Sequence, residues 1–140
     1  MEINLFSTLV NTSGAHAKAC ISEFTKLDLS PGQPKVLSRL LKQEGYLQKE
    51  LAGLCGVEPA TMTVLLNAME KKGMIRKETS HVSGGKRAFR IYLTDEGRAL
   101  AEKVDRIIQE VQETALAGFS EEEKEMLVSL NARIVENLSR

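Results

Sequence analysis

The stretch that most constrains this chain runs from Gln48 to Gly73. Glu50-Leu51-Ala52 and Leu54-Cys55 give a short helix one apolar face. Gly56 follows, where a chain reversing between two helices needs a residue that tolerates positive φ. Val57 is apolar and can plug the corner, and Pro59 fits the first turn of a new helix, where its missing N–H costs nothing. Met62, Leu65, Leu66 and Met69 recur at three- and four-residue spacing and predict one buried stripe on that second helix. Its outer face is left with Ala60, Thr61, Thr63, Val64, Asn67, Ala68 and Lys71. Small and hydroxylic side chains let a helix approach base edges closely, and the second helix of such a pair is the one that enters a DNA major groove. Helix-turn-helix pairs also serve as plain packing units, so the motif needs support from its surroundings.

That support follows directly. Gly73 ends the second helix as a C′ residue. Residues 74–79 read as a strand, 80–87 as a polar, glycine-rich tip and 89–93 as the returning strand, with Gly84-Gly85 at the turn. A hairpin directly after a recognition-type helix is a wing. Formal net charge is +0, yet Glu70 to Arg90 holds seven bases against two acids, while acids prevail from Asp95 to Glu125. A local basic patch on a neutral protein suits phosphate contact, although a solvated surface hairpin also carries such charge.

With 140 residues the chain is long enough for one domain with a real core or two small, intimately packed units. Cys20 and Cys55 sit on apolar helical positions outside any CxxC or Cys/His cluster, so no metal site is expected. Two reduced, core-like thiols fit a cytoplasmic protein. Neither an apolar run of membrane-spanning length nor a secretory signal is visible, and no membrane partner is expected. No Ser/His/Asp set, catalytic carboxylate pair or phosphate loop appears; an enzyme is not expected, and no cofactor is implied.

Around the motif lie amphipathic helices. Ile3, Phe6, Leu9, Val10, Ala17, Cys20, Ile21, Phe24 and Leu27 mark a long one over about residues 3–27, with Ser13-Gly14 as its weak point. It carries more apolar surface than one small partner can cover, which suggests a second subunit. Ser30-Pro31-Gly32-Gln33 reads as a helix start with Ser30 as cap and Pro31 at the first position. Pro34 then falls at the fourth position and predicts an irregular first turn, and Gly45 is read as the stop. After the wing, Thr94 is a plausible N-cap for a helix reaching about Gly118. Ser120 caps a last helix with Glu121-Glu122-Glu123 in its first turn and the stripe Met126, Leu127, Leu130, Ile134 and Leu138.

This order and these residues resemble the MarR family of bacterial winged-helix regulators over nearly the whole chain. The specific matches are Glu50-Leu51-Ala52, Gly56-Val57, Ala60-Thr61-Met62-Thr63, Leu65-Leu66, Met69 through Arg76, and Leu93-Thr94-Asp95-Glu96-Gly97. The resemblance implies a homodimer whose first and last helices intertwine, a pseudo-palindromic operator, and relief of binding by a small, often aromatic or phenolic effector or by oxidation. Departures from the family pattern are Val64, where arginine is frequent, Ala68, Pro34, where an aromatic is common, Leu47 at a usual cap position, and Gly85-Lys86-Arg87, which lacks the acidic residue that usually braces the wing arginine.

The expectation is therefore a mainly α chain with a small β-hairpin wing: a winged helix-turn-helix carried by an intertwined helical homodimer. Residues 1–28 would be an N-terminal dimerisation helix, 29–94 the winged helix-turn-helix and 95–140 the C-terminal dimerisation helices. The function expected is sequence-specific regulation of transcription through double-stranded DNA, as a ligand-responsive repressor. The candidate DNA contacts are Ala60, Thr61, Thr63, Val64 and Asn67, then Lys71 and Lys72, then Lys86, Arg87 and Arg90. His16 is the candidate ligand-pocket residue. Val64 and Ala68 also suit an alternative, a winged-helix adaptor that binds a protein and not DNA.

Overall fold

The computed structural model describes residues 2–140, apart from the side chain of Ser83. Helix α1 spans Leu5–Phe24, and a 3-10 turn carries it on through Thr25–Leu27. Gly14 does not interrupt it. Asn4 caps its start by accepting the Ser7 N–H at 2.9 Å, and Asp28, in the left-handed conformation at φ 58°, turns the chain at its end. Helix α2 is Gln33–Lys42. The helix-turn-helix follows as α3, Gln48–Cys55, and α4, Pro59–Lys71. Gly56 takes φ 66° between them, as the reversal requires.

Helix α2 begins later than the sequence pattern predicts. Gly32, not Ser30, is its N-cap, at φ 95°, and Pro34 therefore occupies the second helical position. A proline there removes no intrahelical bond, so the first turn is regular. Ser30 still takes part: its N–H donates to Oε1 of Gln33 at 3.1 Å, which engages the amide oxygen of the one polar side chain buried among the described residues. The helix also ends before Gly45. That glycine, at φ 84°, instead leads into a short strand β1, Tyr46–Leu47, with its N–H bonded to the Ile91 carbonyl at 2.9 Å. Two residues are too few to show an alternating pattern, and the sequence does not predict this strand.

The wing strands are longer than predicted. Strand β2 runs Ile75–His81 and β3 Arg87–Leu93, leaving a tip where Gly84 and Gly85 both adopt positive φ. With β1 they form an antiparallel sheet in the order β1-β3-β2, in which Ile75 faces Leu93 and Tyr46 faces Ile91.

Helix α5, Asp95–Ala115, is joined tightly to the base of the wing. Thr94 Oγ1 accepts the Gly97 N–H at 3.0 Å and donates to the Gly73 carbonyl, while the Thr94 N–H reaches the Met74 carbonyl at 3.1 Å. Gly97 is packed so closely there that a Cβ would lie 1.8 Å from the Met74 oxygen. Glu44 adds a second tie, accepting the Leu93 N–H at 2.6 Å and pairing with Arg98. The core gathers Val36, Leu37 and Leu40 of α2, Leu51 of α3, Met62, Leu66 and Met69 of α4, Ile75 and Ile91 of the sheet, and Ala101 and Val104 of α5. Helix α6, Glu121–Leu138, starts on a reciprocal capping box between Ser120 and Glu123 and buries no residue. No single helix is long and apolar enough to cross a membrane.

Candidate nucleic-acid interface

Helix α4 turns Met62, Leu66 and Met69 into the core with no exposure at all. That anchoring presents Ala60, Thr61, Thr63, Val64, Asn67, Ala68 and Lys71 outward. The polar members of this set are not equally free. Thr63 Oγ1 donates to the Pro59 carbonyl at 3.1 Å and accepts from Gln48 Nε2 at 2.6 Å. Asn67 Oδ1 accepts from Lys77 Nζ at 2.6 Å. Thr61 has no such partner among the described residues. Val64 stands clear at 70% exposure.

The cations of the motif also divide into two groups. Lys77 lies in a nearly closed position, with Nζ 4.0 Å from Glu70 Oε1 and 5.6 Å from the Phe89 ring centre. Arg76 pairs with Glu78, a hydrogen bond that holds its guanidinium still more firmly protonated, and stacks over Tyr92 at 4.6 Å. Arg90 donates to the Gly45 carbonyl at 2.8 Å and so ties β3 to the turn before β1. In contrast, Lys71, Lys72, Lys86 and Arg87 are exposed and form no ion pair among the described residues. The Arg87 guanidinium lies 5.7 Å from the centre of the Phe89 ring, a cation–π contact in place of the acidic brace. Between α4 and the wing runs a groove of about 700 Å³ whose walls include Thr63, Asn67, Lys77 and Phe89.

Gln48 and Lys77 are the two residues here that sequence reasoning did not single out. For Lys77 a signal existed: strand alternation puts it on the face of Ile75, toward α4. Gln48 reaches Thr63 across fifteen residues of chain, a proximity set by the turn and invisible to local pattern.

A second cavity, about 690 Å³, opens between α1, the α1–α2 connection, α2 and α5. His16, Cys20, Phe24, Pro34, Arg39 and Ile108 are among its walls. His16 Nε2 lies 3.8 Å from Cys20 Sγ, one helical turn away. Burial pushes the Cys20 thiol up, the opposite of what an activated cysteine needs. Burial does the same at Cys55, only partly offset by Arg39 and Lys35.

A three-stranded sheet whose long hairpin flanks an exposed second helix, with free cations on helix end and wing tip, defines a winged helix-turn-helix. Comparison with known proteins carries the assignment further. The sequence profile of the MarR family matches residues 29–84. The HTH-type transcriptional regulator YybA of Bacillus subtilis (strain 168) is 30% identical over 118 residues, 84% of this chain and 77% of that protein. The crystal structure of transcriptional regulator PA3341 superposes with a TM-score of 0.85 at 29% identity, covering 97% of this chain and 98% of that one. A MarR-family regulator from Listeria monocytogenes, solved with a 26mer DNA, gives 0.84 at 26% identity over 99% and 90%. The chain belongs to the MarR family of DNA-binding transcriptional regulators.

Proposed function

We propose that this chain acts as a homodimeric, ligand-responsive repressor at a pseudo-palindromic operator. The observation that carries the reading is the pairing of an exposed α4 face with four cations that form no ion pair among the described residues, Lys71, Lys72, Lys86 and Arg87. These cations sit where they would meet phosphates on either side of an inserted helix, positioning it without reading sequence. The DNA complex of the Listeria relative supports a duplex over a protein as the partner of this face. Ala60, Thr61 and Val64 meet the bases in this reading. Thr63, Asn67 and Arg90 act mainly as braces: Thr63 holds α4 to α3, Asn67 holds α4 to the wing, and Arg90 holds β3 to the turn before β1.

Residues 1–28 and 95–140 supply the dimer and 29–94 the winged helix-turn-helix. Support comes from the apolar surface left uncovered in one chain: Phe6, Leu9 and Val10 on α1, and Met126, Leu127, Leu130 and Leu138 on α6. Two copies place their α4 helices in successive major grooves about one helical turn apart. The cavity beside His16 sits between the dimerising helices and α2, so an occupant would change the angle between them. Its walls combine Phe24, Ile108 and Pro34 with Lys35, Arg39 and Lys42, which suits a small aromatic or phenolic effector carrying an acidic group.

The test is a gel-shift titration of the purified protein on duplex from its own upstream region, repeated with aromatic acids such as salicylate. A saturable shift at dimer stoichiometry, reversed by ligand in the wild type and less so in Arg39→Ala, is expected. Binding as a single subunit, or no preference for that region over scrambled duplex, would overturn the proposal.

A further inference from the structure

Helix α4 contains no arginine, glutamine or histidine, the side chains most used to read guanine and adenine edges. Its one amide, Asn67, has its carbonyl oxygen engaged by Lys77, and Thr63 is bridged by Gln48. Left free toward solvent is an apolar stripe. Ala60, Val64 and Ala68 recur every fourth residue, all exposed, with Val64 projecting furthest. At 1.5 Å per residue the stripe extends for about 12 Å, the length of three to four base-pair steps. Lys71 stands beyond it on the same side of the helix, and Lys86 and Arg87 are exposed at the tip of the wing that follows. An apolar strip bordered by free cations fits a surface that is apolar at its floor and anionic at its edges. In a duplex, thymine C5-methyl groups in the major groove, walled by phosphates, have that character.

We propose that this protein recognises its half-site chiefly through thymine methyl groups packed against Ala60, Val64 and Ala68, with Val64 as the main specificity-determining residue. The inference rests on the DNA-binding reading above and adds the chemical feature being read. Each methyl buried against Val64 is expected to contribute about fourfold in affinity, or about fifteenfold when both half-sites carry it. Hydrogen-bonded readout would instead leave affinity indifferent to that methyl, because uracil presents the same O4 acceptor as thymine.

The experiment starts with selection of bound sequences from a randomised duplex pool. The selected duplex is then made with deoxyuridine replacing thymine, one symmetric pair at a time, and dissociation constants are measured by fluorescence anisotropy for wild type and Val64→Ala. At one half-site position, deoxyuridine should weaken wild-type binding by about fifteenfold. Val64→Ala should bind the thymine duplex more weakly and lose most of that thymine-over-uracil ratio. Selected half-sites lacking thymine, equal affinity for thymine and uracil at every position, or an undiminished ratio in Val64→Ala would each overturn the inference while leaving DNA binding intact. A selection that enriches no sequence would instead bring down the DNA-binding reading, and this inference with it.

Discussion

The winged-helix body and the terminal helices are built from the same kind of amphipathic pattern but end in opposite states. The body, together with the first half of α5, holds the whole buried core from Leu29 to Val104. In α1 only Cys20 is buried, and in α6 nothing is. Phe6 is 81% exposed and Leu138 77%, whereas the exposed large apolar residues described in the body are Val64 at 70% and Leu54 at 40%. A helix stripe states that something apolar must cover it; it does not state whether the cover comes from the same chain. In the body the cover is intramolecular. At the ends we assign it to a second subunit, and substitutions should therefore separate the two regions: damage to the body unfolds the subunit, whereas damage to the ends dissociates it.

The largest effect is expected from Leu130→Glu, in the middle of the α6 stripe. Replacing a leucine that the second subunit would cover by a charge, in both copies, should cost about 4 kcal/mol of association, read as a shift to monomer in sedimentation equilibrium with unchanged helical circular dichroism. A dimer of undiminished strength would break the comparison. Next is Gly97→Ala, inside the body. The new Cβ meets the Met74 carbonyl, so β2 and α5 must move apart, at a cost of about 3 kcal/mol in urea unfolding at fixed protein concentration. An unchanged midpoint would mean that this junction yields without cost. Thr94→Ala removes both the α5 cap and the bond to Gly73, and roughly 1–2 kcal/mol of stability should go with them, without loss of the dimer. Arg87→Ala should leave fold and dimer untouched. It should weaken operator binding modestly and flatten the salt dependence by about one unit for each phosphate the arginine no longer neutralises; an identical slope would remove Arg87 from the interface.

Much of this organisation is legible in the residues alone. Gly56 and Pro59 mark the reversal and restart between α3 and α4, and Thr94 and Ser120 cap α5 and α6 through their own side chains. These signals work because each is local: a cap or a positive φ is decided within one turn of chain. The start of α2 is instructive for the same reason. Ser30-Pro31 reads as a sufficient cap, but Pro34 has its own positional demand, and only a later start with Gly32 as N-cap satisfies it.

What chain order and periodicity supplied was the set of elements, their apolar faces and the basic hairpin, since those follow from short-range geometry and spacing. Contacts across the fold settled which side chains remain available to a duplex. Gln48 and Lys77 lie fifteen and ten residues from the groups they engage, and their hydrogen bonds take Thr63 and Asn67 from the reading face while leaving Val64 bare. A hydroxyl or amide has the same character wherever it stands along a chain. Whether it is spent inside the protein depends on where the folded backbone brings a second donor, and that distance is a property of packing.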